Sequence, residues 1–198
     1  MSELRLNPSK KDQLYLAELL RISDRLFKTV RNKPTAIHLG FPYRGNRYDE
    51  LIAGWVQYWN DVLAPDDPLD PNFVKALIAT EFGFDPLAKV SAGKRAGYAR
   101  GLLQLTDWTL EILSDEKGEL RNHLVNLSQN DLYTPNLNIA AGVRWLFRKR
   151  ETASAKLGRA ATWLEAAADY KSYLEQWKKN SNHKQMKRLI QLYERIRE

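Results

Sequence analysis

The sequence predicts a mainly α-helical fold, and three observations support this prediction. Apolar residues recur at intervals of three and four residues in several segments, which is the spacing of one helix face. No segment shows a convincing strand pattern, although a short hairpin fits the irregular stretch 83–101. No internal repeat of the length that builds solenoids is present. A chain of 198 residues is long enough to bury a core between such helices.

The N-terminal third predicts two amphipathic helices separated by a loop. The first helix is expected over residues 12–31 and ends before Pro34. Residues 32–47 are rich in glycine, proline and asparagine, which predicts the loop. The apolar positions of the first helix are Leu16, Leu19, Leu20, Leu26, Phe27 and Val30. Those of the second helix are Leu51, Ile52, Trp55, Trp59, Val62 and Leu63.

The next helix begins at clear start signals. Asp70 is a suitable N-cap, and Pro71 suits the first helical position. After the stretch 83–101, a helix is expected over 102–113, and residues 114–128 are polar and predict a loop with a short turn. The inward residues of the helix over 102–113 are expected to be Leu105, Trp108, Thr109 and Ile112.

Three further helices are expected toward the C-terminus. One begins at Thr134 and Pro135, a favourable helix start. Another is the alanine-rich segment 160–174. The last, over 182–198, is amphipathic and carries many basic residues.

Composition limits the classes of function. The formal net charge of +7 favours an anionic partner, such as nucleic acid, anionic lipid or bacterial cell wall. The absence of cysteine excludes disulfides and thiolate metal sites. The N-terminal segment lacks a signal-peptide pattern because charged residues interrupt its apolar run. No apolar run is long enough to span a membrane.

The sequence motifs of several other enzyme classes are absent. His38, His123 and His183 are scattered without the spacing of a zinc site. The pair Gly93 and Lys94 lacks the preceding glycine of a phosphate-binding loop, and no G-x-S-x-G motif occurs. No metal and no cofactor is therefore expected.

Glu81 is the most unusual acid in the sequence. It lies four residues after Leu77, on the apolar stripe of the helix that Asp70 begins. An ionised carboxylate buried without a partner is unfavourable by several kcal/mol. Glu81 is therefore paired, at the edge of a cleft, or held protonated for a purpose. An ordinary structural acid at a helix end is the alternative.

Three blocks of the sequence resemble one known family. The first block contains Glu81, Phe84, Asp85, Pro86, Ala88 and Ser91. The second contains Ala99, Gly101, Leu102, Leu103, Gln104, Leu105 and Thr109. The third, DLYTPNLNIAAGVRWL, covers residues 131–146. In this order they resemble the lytic transglycosylase and goose-type lysozyme family (SLT domain, glycoside hydrolase family 23), over about residues 69–175.

The resemblance implies a lysozyme-like helical domain over residues 69–175. Residues 1–68 would form an N-terminal helical extension, and residues 176–198 a basic helix packed on the domain. It also implies cleavage of peptidoglycan between N-acetylmuramic acid and N-acetylglucosamine. Glu81 would act first as acid and then as base, while the C6 hydroxyl of the sugar attacks to give a 1,6-anhydro end. Phe82, Phe84 and Leu102 could supply the apolar surroundings that favour a protonated carboxyl group.

Further candidate site residues follow from the resemblance, except Tyr98, which is a candidate because an aromatic residue in a glycine-flanked loop could stack on a sugar ring. The candidate substrate-binding residues are Gln104, Tyr170, Ser91, Tyr98 and Asn138. Asn138 and Tyr98 could instead hold or pack loops. Asp107 and Asp85 are candidates for a second carboxylate, but a solvated helix acid and a structural cap, respectively, are the favoured interpretations.

The chain also departs from the family pattern. Phe82 stands where the family usually has serine, and Ser91 lies one position later than expected. The spacing from Ser91 to Gly101 is longer than in the family, and residues 169–172 keep the tyrosine of a late Tyr-Asn-Ala-Gly motif but neither its asparagine nor its glycine. These differences indicate a divergent subfamily.

Three alternatives to a lytic transglycosylase are considered. A hydrolytic muramidase would use a second carboxylate. An inactive wall-binding or structural module of a phage or secretion apparatus is favoured by the degraded late motif and opposed by the retained Glu81. A basic nucleic-acid-binding protein would explain the charge but not the ordered blocks.

The site of action is expected to be the periplasm or cell wall. Without a visible signal peptide, export would need a secretion machine or a phage, unless the sequence is a piece of a longer protein.

Overall fold

The computed structural model describes residues 13–30, 33–34, 40, 42–120, 122–180 and 182–197. His38 and both end residues of the first predicted helix lie outside this part of the chain. The described residues form nine α-helices: α1 Leu16–Leu26, α2 Pro42–Asn46, α3 Asp49–Leu63, α4 Pro71–Thr80, α5 Asp107–Ser114, α6 Pro135–Leu157, α7 Trp163–Tyr170, α8 Leu174–Lys179 and α9 Lys184–Arg197. The prediction of a mainly α fold is confirmed.

Five short strands complete the fold: β1 Gln13–Tyr15, β2 Lys89–Ser91, β3 Tyr98–Arg100, β4 Leu105–Thr106 and β5 Leu124–Asn126. Strands β2, β3 and β4 form an antiparallel sheet in that order, so the hairpin expected within 83–101 is present. Strands β1 and β5 pair in parallel. The loop prediction for 114–128 is wrong at β5, where the buried Leu124 and Val125 pair with the N-terminal strand.

The core lies between α3, α4, α6 and α7. The long helix α6 packs against α7 and α3, and α3 also packs against α4. Trp59 of α3 is fully buried, and its indole Nε1 donates to the carbonyl of Ala140 on α6 at 2.9 Å. Trp55, one turn earlier, donates to Asn136 Oδ1 at 2.7 Å. These two bonds fix the register of α3 along α6.

The apolar face predicted for the first helix is only partly buried. Leu19 and Phe27 are buried, whereas Leu16, Leu20 and Leu26 are 39%, 41% and 50% exposed. The Phe27 ring packs edge-on against Trp55, with ring centroids 5.1 Å apart. The first helix therefore covers α3 with a narrower stripe than its sequence predicts.

Within the predicted loop 32–47, residues Pro42–Asn46 form the short helix α2. Its start at a proline is explained by the fixed backbone φ angle of that residue.

The helix predicted over 102–113 begins five residues late, at Asp107. Gly101 and Gln104 both have positive φ angles, +72° and +49°, which a right-handed helix does not accommodate. Thr106 then caps α5 by accepting a hydrogen bond from the Thr109 N–H at 3.1 Å. Trp108, predicted to face inward, is 40% exposed.

The alanine-rich segment 160–174 was expected to form one helix, but α7 covers only Trp163–Tyr170 and α8 begins at Leu174. Thr162 and Glu165 form a capping box that begins α7. Ser172 has a φ of +62°, and the Tyr173 N–H returns to the carbonyl of Ala168 at 2.7 Å. This is the helix-ending turn of a Schellman motif, and it places Lys171 at the end of α7.

Helix α9 covers α4. Tyr193 packs edge-on against Phe73, with ring centroids 5.3 Å apart, and its hydroxyl donates to Asp70 Oδ2 at 2.8 Å. Asp70 also caps α4 by accepting from the Asn72 N–H, as the sequence predicts. The division of the chain at residues 68 and 175 stays a prediction.

Candidate active site

Glu81 lies where α4 ends. Its backbone N–H donates to the carbonyl of Ile78 at 3.1 Å, which closes the last turn of the helix. Its side chain is 16% exposed, so the carboxylate is mostly removed from solvent. The sequence left open whether this acid is paired, lies at a cleft edge or is held protonated, and in the structure it is paired with a cation.

The partner of Glu81 is Lys171, at the C-terminal end of α7. The Lys171 ammonium donates to Glu81 Oε1, and the lysine side chain is only 5% exposed. The two residues are 90 positions apart, and only the packing of the helices brings them together.

The apolar surroundings expected for Glu81 are incomplete. Phe84 and Leu102 are each 2% exposed, and Phe84 stacks on Tyr48 with ring centroids 6.4 Å apart. Phe82, in contrast, is 48% exposed. Phe82 therefore does not form part of the buried apolar environment that the sequence suggested for Glu81.

Tyr170, the last residue of α7, lies close enough to Glu81 to interact with it electrostatically. Burial, and then the charge of Glu81, raises the pKa of Tyr170 well above its usual value. Its hydroxyl donates to the carbonyl of Leu103 at 2.5 Å. The phenol is therefore a neutral donor whose proton is directed to the backbone beside the candidate site.

Gln104 lies in a turn rather than on a helix. Its side-chain amide donates to the carbonyl of Gly101 at 2.7 Å and to that of Ala88 at 3.4 Å. These bonds hold the turn before β4 against the segment that leads into β2. The amide nitrogen of Gln104 thus shapes the loop around the second sequence block.

Asn138 is fully buried on α6. Its Oδ1 accepts from the Leu103 N–H at 2.8 Å, and its Nδ2 donates to the carbonyls of Arg100 and Leu132 at 3.0 and 2.9 Å. A Cβ on Gly101 would lie 2.3 Å from that nitrogen, which explains the glycine there. The geometry supports the loop-holding interpretation of Asn138.

Ser91 and Tyr98 face each other as a register pair across β2 and β3, and both are exposed. The Lys89 ammonium lies 4.4 Å from the centroid of the Tyr98 ring, which is 47% exposed. Such an exposed ring on a sheet is suited to stacking on a sugar.

Asp107 is occupied by interactions within its own segment. Its Oδ1 is paired with the buried Arg100, and its Oδ2 accepts from the Tyr98 N–H at 2.9 Å. A Cβ on Gly97 would lie 2.2 Å from Asp107 Oδ2. Asp107 therefore ties β3 to the start of α5.

Asp85 accepts from the Leu87 N–H at 3.0 Å in a local turn, which fits a structural cap. The interaction of Asp85 supports the structural cap that the sequence favoured for it. The expectation of a solvated helix acid at Asp107 is wrong, because its side chain is only 20% exposed and is paired with Arg100.

The sequence did not identify Lys171. Lys171 was noted only as a difference from the family pattern, because it follows the tyrosine of the late motif at the position of the family's asparagine. A lysine near a helix end is ordinarily solvated, so its residue type gave no signal of burial. In the described residues, no group of three or more His, Asp or Glu side chains is arranged to hold a metal.

Comparison with known protein families gives one match. The family model described as the transglycosylase SLT domain matches residues 63–190. No curated protein sequence matches the chain. Because the family match covers more than half of the 198 residues, this protein belongs to the transglycosylase SLT domain family.

Proposed function

We propose that this protein cleaves peptidoglycan glycan strands between N-acetylmuramic acid and N-acetylglucosamine, as a lytic transglycosylase with Glu81 as its catalytic residue. SLT domains as a family act on peptidoglycan, generally as lytic transglycosylases. The observation that carries the finer proposal is the position of Glu81. It is a mostly buried carboxylate at the end of α4, close to Tyr170, in a chain that matches the family.

The reaction needs one group that gives a proton and later takes one. Protonated Glu81 gives its proton to the glycosidic oxygen as the bond from that oxygen to C1 of muramic acid breaks. The resulting Glu81 carboxylate then takes the proton of the C6 hydroxyl, whose oxygen bonds to C1. The product ends in 1,6-anhydromuramic acid, Glu81 is protonated again, and no water is consumed.

A hydrolytic mechanism is less well supported. An inverting hydrolase needs a second carboxylate about 6.5 to 9.5 Å from the first to activate water. Asp107 is bound by Arg100 and a backbone N–H, and Asp85 by a backbone N–H. These two candidates are thus engaged in holding loops.

Peptidoglycan lies in the periplasm or cell wall, so this is where an SLT domain acts. We propose that the anionic partner attracted by the net charge of +7 is the wall polymer and not nucleic acid. Among the helices of the described residues, none is both long and apolar enough to cross a membrane. A secretion-system or phage partner remains a prediction.

The decisive experiment is mass analysis of muropeptides released from purified peptidoglycan. We expect anhydro ends, lighter than hydrolysed ends by one water, from the unmodified protein and from Glu175→Gln, a control in which a 67% exposed acid is changed. We expect none from Glu81→Gln. Mainly reducing ends would identify a muramidase instead, and cleavage by Glu81→Gln would refute the assignment of the acid.

The Lys171 pairing favours one second candidate, a peptidoglycan-binding module that does not cleave. The Glu81 carboxylate, the group that would act on the sugar, is already bound by the largely buried ammonium of Lys171. This function predicts that the protein sediments with insoluble peptidoglycan at pH 5 and pH 7 and releases no muropeptides at either pH.

A further inference from the structure

We infer that the β2–β3 hairpin binds the carboxylates of the peptide stems of peptidoglycan, so that this protein prefers glycan strands that carry stems. The preference in cleavage rests on the proposed function, whereas the binding itself does not. The exposed residues that bind the stems, here called the hairpin surface, are Lys89, Lys94, Arg95, Tyr98 and Trp108.

The hairpin carries an excess of positive charge. Residues 89–100 contain four basic residues and no acidic residue. Arg100 is paired with Asp107. The other three, Lys89, Lys94 and Arg95, are exposed and have no carboxylate partner among the described residues. A group of cations without counter-charges on one surface attracts anions.

Two of these cations lie over aromatic rings. The Lys89 ammonium is 4.4 Å from the centroid of the Tyr98 ring, and the Arg95 guanidinium carbon is 5.0 Å from that of Trp108. The ring attracts the cation, while N–H groups on the outer side stay available to a ligand. These two side chains therefore lose less conformational freedom when an anion binds than freely moving ones would.

The backbone at the tip of the hairpin is also held. The Gly97 N–H donates to the carbonyl of Gly93 at 2.9 Å, which closes the turn at the tip. The N–H of Tyr98, the next residue, donates to Asp107 Oδ2 at 2.9 Å and attaches the tip to the start of α5. The cations of the tip are therefore presented by a fixed turn.

The hairpin is connected to the candidate active site by a short series of contacts. The carbonyl of Ala88, the residue before β2, accepts from the Gly101 N–H at 2.9 Å. Two residues later, the carbonyl of Leu103 accepts from Tyr170, which lies close enough to Glu81 to interact with it electrostatically. We therefore expect a glycan strand bound at Glu81 to pass beside the hairpin surface.

The chemistry of the polymer indicates which anion fits. In peptidoglycan the carboxyl group of muramic acid is bound in an amide to the stem, so the free carboxylates belong to the stems. The spacing from Ser91 to Gly101 is longer than the resemblance implies for the family, so this recognition is a property of this chain's own hairpin.

The test measures sedimentation with insoluble purified peptidoglycan whose carboxylates are either free or converted to amides by carbodiimide coupling with ammonia. All proteins carry Glu81→Gln, so that the polymer stays intact. An exposed ion pair contributes at most about a fivefold factor in affinity, so adding Lys94→Gln and Arg95→Gln together should weaken binding to the free form about tenfold. The matched control, Lys184→Gln with Lys187→Gln, removes two exposed cations from α9.

The control should change binding by less than about twofold, because salt screens charges that do not contact the ligand. NMR then locates the contact without substituting a cation. The indole N–H resonance of Trp108, identified with Trp108→Phe, should shift when a soluble muropeptide that carries a stem is added, but not with the amidated muropeptide. With Glu81 restored, the hairpin variant should need about tenfold more polymer for half its maximal rate, and that maximal rate should be unchanged.

Equal binding of the free and amidated polymer by the protein with an intact hairpin would overturn the inference. A control weakened as much as the hairpin variant, or a Trp108 resonance that stays in place, would do the same. If the hairpin binds the free form selectively but the protein with Glu81 never cleaves, the binding stands and the proposed function fails. If cleavage occurs and the hairpin variant binds normally, the proposed function stands and this inference fails.

Discussion

Glu81 and Asp107 are both carboxylates paired with a cation that is almost fully buried, but the protein holds them in different ways. Asp107 bonds through both oxygens to groups within ten residues of it, namely Arg100 and the Tyr98 N–H. Glu81 is held through Oε1 by Lys171, which comes from a different helix 90 residues away. Asp107 therefore belongs to a local scaffold, whereas the pairing of Glu81 depends on how two helices dock.

This difference fits the roles that we propose, catalytic for Glu81 and structural for Asp107. A carboxylate with both oxygens bound by a rigid local turn cannot approach a substrate without dismantling that turn. A carboxylate held at one oxygen by a flexible lysine can change its partner. The two sites thus predict separate effects on activity and on stability.

The largest expected effect is on catalysis at Glu81. Glu81→Gln keeps the shape of the side chain but removes the transferable proton, so the cleavage rate should fall at least about a hundredfold. Circular dichroism should show an unchanged helical content. Near-normal muropeptide release from the folded variant would place the catalytic acid elsewhere.

The next effect is on stability at Asp107. Asp107→Asn leaves the charge of Arg100, which is 4% exposed, without its carboxylate. The free energy of unfolding should fall by about 3 kcal/mol, while the cleavage rate of the folded variant should change only a few-fold. Denaturant unfolding and muropeptide assays measure the two quantities. A hundredfold loss of rate with unchanged stability would instead identify Asp107 as a second catalytic carboxylate.

Tyr170 should have a smaller effect. Tyr170→Phe removes the hydroxyl that donates to Leu103 and leaves that carbonyl short of a partner, which costs about 1 kcal/mol of stability. Because this bond supports the backbone rather than Glu81, the rate should fall less than in Glu81→Gln. Equal losses of rate in the two variants would show that the phenol takes part in the proton transfers.

Helix α9 contributes pH-dependent stability to α4, the helix that ends at Glu81. Burial, followed by the hydrogen bond to Asp70, raises the pKa of Tyr193 from 10.0 to about 12. A raised pKa means that the folded state favours the protonated phenol, so this stability is complete below about pH 10 and is lost as the pH rises through about 12. Thermal unfolding of Tyr193→Phe should show a weaker decline above pH 10. A decline as steep as that of the unmodified protein would exclude Tyr193 as a contributor.

The smallest expected effect is that of salt. The net charge of +7 should attract anionic wall polymer over distances that salt screens beyond about 8 to 10 Å. Turbidity assays should therefore show a moderate loss of activity at raised ionic strength. A flat salt response of the rate would mean that the surface charge has another role.

The helical elements could be predicted where local patterns dominate. Asp70 and Pro71 begin α4 as expected, because capping and proline geometry depend on adjacent residues only. The prediction failed where longer-range bonds reshape the backbone. The turn at Gln104 is held partly by Asn138 of α6, through the neighbouring Leu103, and so the helix expected from residue 102 begins at Asp107.

The sequence by itself determined the helical class, the family and the choice of Glu81 as the candidate acid, because these depend on periodicity and on ordered motifs. Only the tertiary structure decided which groups meet at that acid. The contact with Lys171 and the direction of the Tyr170 hydroxyl arise from the docking of α7 beside the end of α4. The docking of distant helices depends on the packing of the whole core, which no local pattern encodes.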